Sequence, residues 1–328
     1  MADSLKATTI LIPANLYGHA VDRVGKAFNL VRIDAADPAL VSDELRASVR
    51  GIASGTRISA AFIDSLPNLE IIANFGVGYD AVDAAHAGKV NVMVTNTPDV
   101  LSEEVADTTI GLLLNTVREL PKAEAWLRDG KWVGTGNYRL TPLTLRGRTV
   151  GIFGMGRIGL AVARRLEAFD VAIHYHNRRP VDGVAYHYHD SLLGMASAVD
   201  TLVSVAPGGA STHKAINAEI LTALGKSGVV VNIGRGTVID EEALAKALVD
   251  GTIAAAGLDV FADEPNVPAA LMAAPNTCLL PHVGSASVHT RDGMADLVAD
   301  NLEAWFGTGK PLTAVGETAH VTPGMRQA

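Results

Sequence analysis

Short apolar runs recur along the chain with stretches of helical spacing between them. In the first hundred residues the runs cover 9–12, 30–33, 49–53, 69–73 and 90–94, with candidate helices around 16–28, 38–47, 59–65 and 80–88. Runs at 149–153, 171–176, 199–205, 228–233, 253–260 and 277–280 follow, separated by candidate helices near 190–198, 217–225 and 240–250. Strands that are apolar on both faces and alternate with helices predict parallel sheets covered on two sides. A buried helix over 106–118, starting at Ser102-Glu-Glu-Val, links the two series, and a long helix near 288–306 follows the second. The segment 127–144 mixes Trp132 and Tyr138 with glycines and prolines and reads as an irregular arm, with Trp126 beside it. Exposed aromatics on such an arm suggest a subunit interface. Residues 307–328 read as a strap or tail. The expected fold is α/β, two Rossmann-like or flavodoxin-like domains with parallel sheets and a cleft between them. The boundaries fall at 1–104 plus 288–328 and at 105–287.

The sharpest motif lies at the start of the second series. An apolar strand runs into Gly154-Met155-Gly156-Arg157-Ile158-Gly159, and Ile158, Val162 and Leu166 then recur at helical spacing. Gly154 permits the tight turn, Gly156 lets backbone approach a pyrophosphate, and Gly159 lets the helix pack close to the strand. The positive end of that helix then faces the phosphates. The next strand ends in Asn177-Arg178-Arg179-Pro180. An acid here would accept from a ribose 2′-OH and repel a 2′-phosphate, whereas two arginines can clamp the phosphate. The cofactor read from these residues is NADPH, with NADH a weaker alternative.

Composition narrows the class. The chain has 328 residues, too many for one growing core, and 48% are apolar. The formal charge of −8 and the lack of a basic block argue against nucleic acid. The single cysteine, Cys278, rules out an internal disulfide framework and suits a reducing compartment. No apolar run approaches the length of a membrane span and no signal sequence is apparent, so a cytoplasmic protein without membrane contact is expected. His187 and His189 have a spacing that could ligate metal, and His174 and His176 alternate on a strand. Without a nearby cysteine both pairs read as strand faces, and no metal is expected.

Three ionisable residues, Arg235, Glu264 and His282, fall on three successive loops at strand ends. Reducing a 2-keto acid requires a hydride, a proton for the carbonyl oxygen and a cation for the carboxylate. His282 suits the proton, Arg235 the carboxylate, and Glu264 could orient the imidazole. Each also has a plain reading, as an ion pair, a surface acid or a capped loop histidine. In the first series, the loops 53–55 and 74–80 close strands. The second of these is either a nest presenting the amides of Val77 and Gly78 to an anion or only a turn. Thr109, on the linking helix, either reaches the cofactor or packs.

Gly234-Arg-Gly236, Gly257-Leu-Asp-Val-Phe261 with Glu264-Pro265, and Pro281-His-Val-Gly284, in this order after the glycine motif, resemble the D-isomer-specific 2-hydroxyacid dehydrogenase family. The likeness extends to Gly76-Val-Gly-Tyr-Asp80 and Val105-Ala-Asp107. Leu112–Leu120, Leu145–Thr149, His176-Asn-Arg178 and Pro207-Gly-Gly209 are similar to its NADPH-preferring glyoxylate/hydroxypyruvate reductase branch, which grades into hydroxyphenylpyruvate reductases. The resemblance implies Arg235 as substrate anchor, His282 as acid/base and Glu264 as its partner. It also implies that Val77 and Gly78 hold the substrate carboxylate beside Ser54, and that Asp259 accepts from the nicotinamide carboxamide. Cofactor contacts are expected, besides the glycine loop and the 177–179 loop, at Thr109, Ala206, Pro207, Thr212, Ile233, Gly234, Arg235, Asp259, His282 and Gly284. A homodimer through the cofactor domain and the 120–145 arm is implied. The alternatives are an aromatic 2-keto acid reductase and, in another class, a dinucleotide-sensing corepressor, against which the intact Arg, Glu and His argue.

Overall fold

A computed structural model of the chain describes residues 5–324. The chain divides into two compact units, Met1–Leu101 with Ser287–Ala328, and Ser102–Ala286. The divisions fall just before the first turn of the helix Ser102–Arg118 and just before that of Val288–Thr308. The sequence expectation put them at 104/105 and 287/288.

The first unit holds a five-stranded sheet of β1 (Thr9–Pro13), β2 (Asn29–Ile33), β3 (Val49–Ser54), β4 (Ile71–Asn74) and β5 (Met93–Thr95). All neighbours pair in parallel, in the order β2-β1-β3-β4-β5. This is the flavodoxin-like order, with its switch point beside β1. Successive side chains on each strand enter opposite cores. Leu11, Ile52, Ile72 and Val94 face one, and Ile10, Ile12, Ala53, Ile71, Ala73 and Met93 the other. The helix Val288–Thr308 closes the second core with Val298, Ala299, Leu302 and Trp305. Arg23, on the helix Gly18–Ala27, ties to it through Asp296 and Asp300. The segment after this helix is a strap: Ala314 bridges Thr95 antiparallel, and Val315 enters the core.

The second unit holds seven parallel strands, β6 (Thr149–Phe153), β7 (Ala172–His176), β8 (His187–His189), β9 (Thr201–Ser204), β10 (Val229–Asn232), β11 (Ala255–Leu258) and β12 (Thr277–Leu279). Their order, β12-β11-β10-β9-β6-β7-β8, contains the dinucleotide-binding order and reverses between β6 and β9. Along β10, Val229 and Val231 point into one core and Val230 into the other. His187 and His189 lie on the edge strand β8, and the strand read over 253–260 is only four residues long. It ends at Leu258; the Asp259 amide still donates to Asn232 O at 3.0 Å, while its side chain binds the 283–284 amides.

The arm is helical at its start and irregular from 135 to 144. Helices form at Leu120–Arg128, with Pro121 in the first turn, and at Lys131–Gly134. The sequence reading of irregularity covered 127–144; Pro121 lies before it. Proline is tolerated at a helix start, where its missing N–H would have no partner anyway. Gly130, at φ 69°, only separates the two helices. The arm is pinned at its base by Glu119, whose carboxylate accepts from Tyr138 Oη at 2.7 Å and pairs with Arg139 at 2.6 Å.

Gly236 marks the tightest approach between loops: a Cβ there would lie 1.8 Å from the carbonyl carbon of Phe261. Gly236→Ala must push the 261–264 loop away and is expected to cost about 3 kcal/mol or more. Gly111→Ala, where nothing lies within 4 Å, is the control and should be neutral or stabilising. Urea denaturation checks both, and equal midpoints for the two variants would contradict the packing argument.

Candidate active site

Parallel strands deliver their following loops to one edge, and in the second unit that edge carries the residues the sequence singled out. The first loop is the glycine turn. Gly154 has φ 103°, and a Cβ on Gly159 would sit 2.3 Å from the carbonyl oxygen of Gly154, so only glycine allows the helix Arg157–Glu167 to start this close to β6. Gly156 is different: no protein atom lies within 4 Å of its would-be Cβ. Its bare face opens at the helix start, where first-turn N–H groups favour an anion. A pyrophosphate fits this cradle. Met155 is buried, whereas Arg157 is exposed.

The second loop follows β7. Arg178 and Arg179 are exposed, with no carboxylate at 177. A 2′-phosphate fits this charge pattern. Asn177 turns away from the arginines: its Oδ1 accepts from the Met155 amide at 2.7 Å, and its Nδ2 donates to the Met155 carbonyl at 3.3 Å. The third loop contains Ala206, Pro207 and Thr212, whose hydroxyl donates to the Pro207 carbonyl at 2.7 Å. Thr109 is fully buried and its hydroxyl donates to Val105 one turn back at 2.6 Å, the packing role.

After β10, Asn232 shapes the loop of Ile233, Gly234 and Arg235. Its side chain accepts from the Gly234 amide at 3.1 Å and donates to the Arg235 carbonyl at 2.9 Å. Arg235 Nη1 donates to Gly234 O at 2.8 Å, and its stem lies against Gly208, where a Cβ would come within 3.3 Å of Arg235 Cγ.

The loops after β11 and β12 meet as an acid–imidazole pair. His282 Nδ1 lies 2.7 Å from Glu264 Oε2, and Glu264 Oε1 accepts from the Phe261 amide at 3.0 Å. Burial pushes the Glu264 carboxyl up, but the His282 and Phe261 hydrogen bonds and the His282 and Arg235 charges outweigh it and hold the group below the usual range. An ionised carboxylate only accepts, so the shared proton is on Nδ1 and Nε2 faces away from Glu264. His282 itself has φ 54°, a left-handed backbone that costs about 1–3 kcal/mol in a non-glycine residue. Asp259 holds it there: its two oxygens accept from the amides of Val283 and Gly284 at 2.7 and 2.8 Å. Asp259 is 1% exposed, and burial raises its pKa against the pull of those amides.

The first unit has its own strand-end loop. Asn74 Nδ2 donates to the carbonyls of Gly76 and Gly78, each at 3.0 Å, and Asn96 Nδ2 donates to that of Val77 at 2.8 Å. In a trans peptide the N–H points opposite to the preceding C=O. The amides of Val77 and Gly78 are therefore turned away from the asparagines, a polarity that suits a carboxylate. Ser54 is buried and its hydroxyl accepts from the Thr56 amide at 3.0 Å, a turn within its own loop.

Sequence reasoning missed Asn74, Asn96 and Asn232, and it gave Asn177 and Asp259 different work. The available signal was an asparagine closing a strand two residues before a glycine, as in Asn74-Phe-Gly76 and Asn232-Ile-Gly234. Histidines of β7 and β8 cluster, with ring centroids of His174, His187 and His189 4.6–5.1 Å apart and only the His174–His189 pair stacked. Burial and the neighbouring rings lower the pKa values of His174 and His189. Among the described residues no group of three or more His, Cys, Asp or Glu is arranged to hold a metal ion, and no helix is long and apolar enough to cross a membrane.

Comparison with known proteins agrees with this edge. The NAD-binding domain of D-isomer specific 2-hydroxyacid dehydrogenases matches residues 110–284. A glyoxylate/hydroxypyruvate reductase of Arabidopsis thaliana is 40% identical over 95% of this chain and 100% of its own. A hydroxyphenylpyruvate reductase of Plectranthus scutellarioides is 47% identical over 84% of this chain and 86% of its own. The crystal structure of an NADPH-dependent glyoxylate/hydroxypyruvate reductase from Sinorhizobium meliloti, in complex with NADP and malonate, is 57% identical. It covers 98% of this chain and 99% of its own, with a TM-score of 0.94. The chain belongs to the D-isomer specific 2-hydroxyacid dehydrogenase family, in its glyoxylate/hydroxypyruvate reductase branch, and is an oxidoreductase that reduces 2-keto acids to 2-hydroxy acids with a nicotinamide dinucleotide.

Proposed function

We propose that the chain is an NADPH-dependent reductase of small 2-keto acids, glyoxylate and hydroxypyruvate, giving glycolate and D-glycerate. The observation that carries the chemistry is the 2.7 Å contact of His282 with Glu264 on loops neighbouring that of Arg235. A reduced nicotinamide, when bound, supplies the hydride to the carbonyl carbon. Arg235 holds the substrate carboxylate by a forked, charge-assisted pair and polarises the carbonyl. His282 donates a proton from Nε2 to the carbonyl oxygen as negative charge develops there, while Glu264 keeps Nδ1–H engaged and stabilises the protonated ring. In the first unit, the Val77 and Gly78 amides offer a site of the same ligand class, a carboxylate. Asp259, besides holding the His282 backbone, keeps lone pairs with which to accept from the carboxamide.

The exposed Arg178 and Arg179 support NADPH over NADH, as does the likeness to the Sinorhizobium meliloti enzyme. The Plectranthus relative favours a second reading, an aromatic 2-keto acid as substrate. The stacked Tyr17 and Phe75, 6.1 Å apart, lie beside the Gly55 loop and fit either reading. Exposed Trp132, Val133 and Leu140 on the arm support a homodimer built there. The lone, buried Cys278 suits a cytoplasmic protein.

His282→Ala should lower kcat by about 10²–10⁴ with the dissociation constant of NADPH nearly unchanged; unchanged turnover would remove the imidazole from the reaction. Replacing Arg178 and Arg179 together with alanine should raise KM for NADPH by roughly tenfold or more and leave NADH almost unaffected. Equal effects on both cofactors would show that the pair does not read the 2′-phosphate. The Glu264 carboxyl carries a pH signature in stability. Because its folded pKa is lowered from 4.5, its contribution is fully present above that value and is lost as the pH falls through the lower, folded pKa. The stability gap between wild type and Glu264→Gln, followed by urea unfolding, should therefore narrow below about pH 4.5. A gap that stays constant down to pH 3 would contradict it.

A further inference from the structure

The side-chain amide of Asn177 does work that neither its place in the loop nor its neighbours' charge explains. The β6–β7 ladder pairs Phe153 with His176 and adds one bond, from the Gly154 amide to the His176 carbonyl at 3.1 Å. There the β6 chain turns away, with Gly154 at φ 103°. Asn177 then supplies what the next rung would have supplied: an acceptor for Met155 N–H at 2.7 Å and a donor to Met155 O at 3.3 Å. Its own backbone is held from the other side, since Tyr188 Oη donates to Asn177 O at 3.3 Å. The loop is closed further on, where the Val181 amide donates to Tyr175 Oη at 3.1 Å. Arg178 and Arg179 lie between these two anchors.

We propose that Asn177 is a positioning residue of the cofactor site: its side-chain amide clamps Met155 and thereby fixes the glycine loop and the Arg178–Arg179 loop in one frame. A dinucleotide carrying both a pyrophosphate and a 2′-phosphate then meets two anion sites whose separation is already set, so less ordering cost remains at binding. The inference rests on the NADPH reading for the identity of the second phosphate. An aspartate at 177 could accept from Met155 N–H but would face the Met155 carbonyl with a second acceptor. The residue type that removes a carboxylate from the 2′ position is therefore also the one that makes both bonds of the clamp, while an aspartate would keep the shorter one, from Met155 N–H.

The test measures dissociation constants of NADPH and NADH by cofactor fluorescence for wild type, Asn177→Ala, Asn177→Asp and the Arg178→Ala/Arg179→Ala double variant, each checked first for a native melting transition. The clamp predicts that Asn177→Ala weakens NADH, which has no 2′-phosphate, by about fivefold, and NADPH by more, because both loops relax. The double arginine variant should leave NADH unchanged. Asn177→Asp keeps the acceptor for Met155 N–H, so it should hold NADH within about twofold of wild type while losing NADPH by roughly tenfold or more. Wild-type NADH affinity in Asn177→Ala would overturn the proposal, as would equal NADH losses in the alanine and aspartate variants. Equal wild-type affinity for the two cofactors would instead overturn the NADPH reading, and the NADH measurements would still decide the clamp.

Discussion

Parallel pairing is the constraint from which the rest of the second unit follows. With seven strands running one way, the loops after β6, β7, β9, β10, β11 and β12 all leave at one edge, and residues as distant in sequence as Gly154 and His282 share it. The sheet brings these loops together but does not fix their conformations. All but the one after β9 are held by a polar side chain that satisfies backbone groups the ladder no longer pairs: Asn177 on Met155, Asn232 on Gly234 and Arg235, Asp259 on Val283 and Gly284. Buried backbone polar groups need partners, and at a strand end a short amide or carboxylate is the nearest available.

Asp259 and Glu264 show how the same residue class serves two ends. Both are carboxylates on the β11 loop, and burial raises the pKa of each. In Asp259 burial prevails, although two amides pull the other way. In Glu264 the His282 imidazole, the Phe261 amide and the Arg235 charge prevail, and its pKa is lowered. Asp259 holds the left-handed His282 backbone, while Glu264 sets which ring nitrogen carries the shared proton. His282 is thus held by two carboxylates that touch different parts of the same residue.

Much of this was legible in the sequence, and for physical reasons. Buried parallel strands are apolar on both faces, so 228–233 and 199–205 stand out, and the glycine spacing at 154–159 survives because a Cβ on Gly159 would strike Gly154 O. Arg235, Glu264 and His282 were visible as charges at strand ends. What was hidden was which side chain answers which backbone group. Asn74, Asn96 and Asn232 look like ordinary turn residues, and nothing in the sequence around Asp259 shows that its two oxygens hold the 283–284 amides. Most of the arm is irregular as expected, but Gly130 separates two helices, and sequence does not say whether a glycine there marks a helix boundary or a loop. The hydroxyls of Ser54 and Thr109 are both bonded to nearby backbone, which the sequence does not show.

The central claim, NADPH-led reduction of small 2-keto acids, is tested most directly by following the absorbance of NADPH and NADH with glyoxylate, hydroxypyruvate, pyruvate and hydroxyphenylpyruvate. The account predicts that glyoxylate and hydroxypyruvate give the highest kcat/KM, and that NADPH outperforms NADH with both. A clear preference for the aromatic acid, or equal use of the two cofactors, would contradict it.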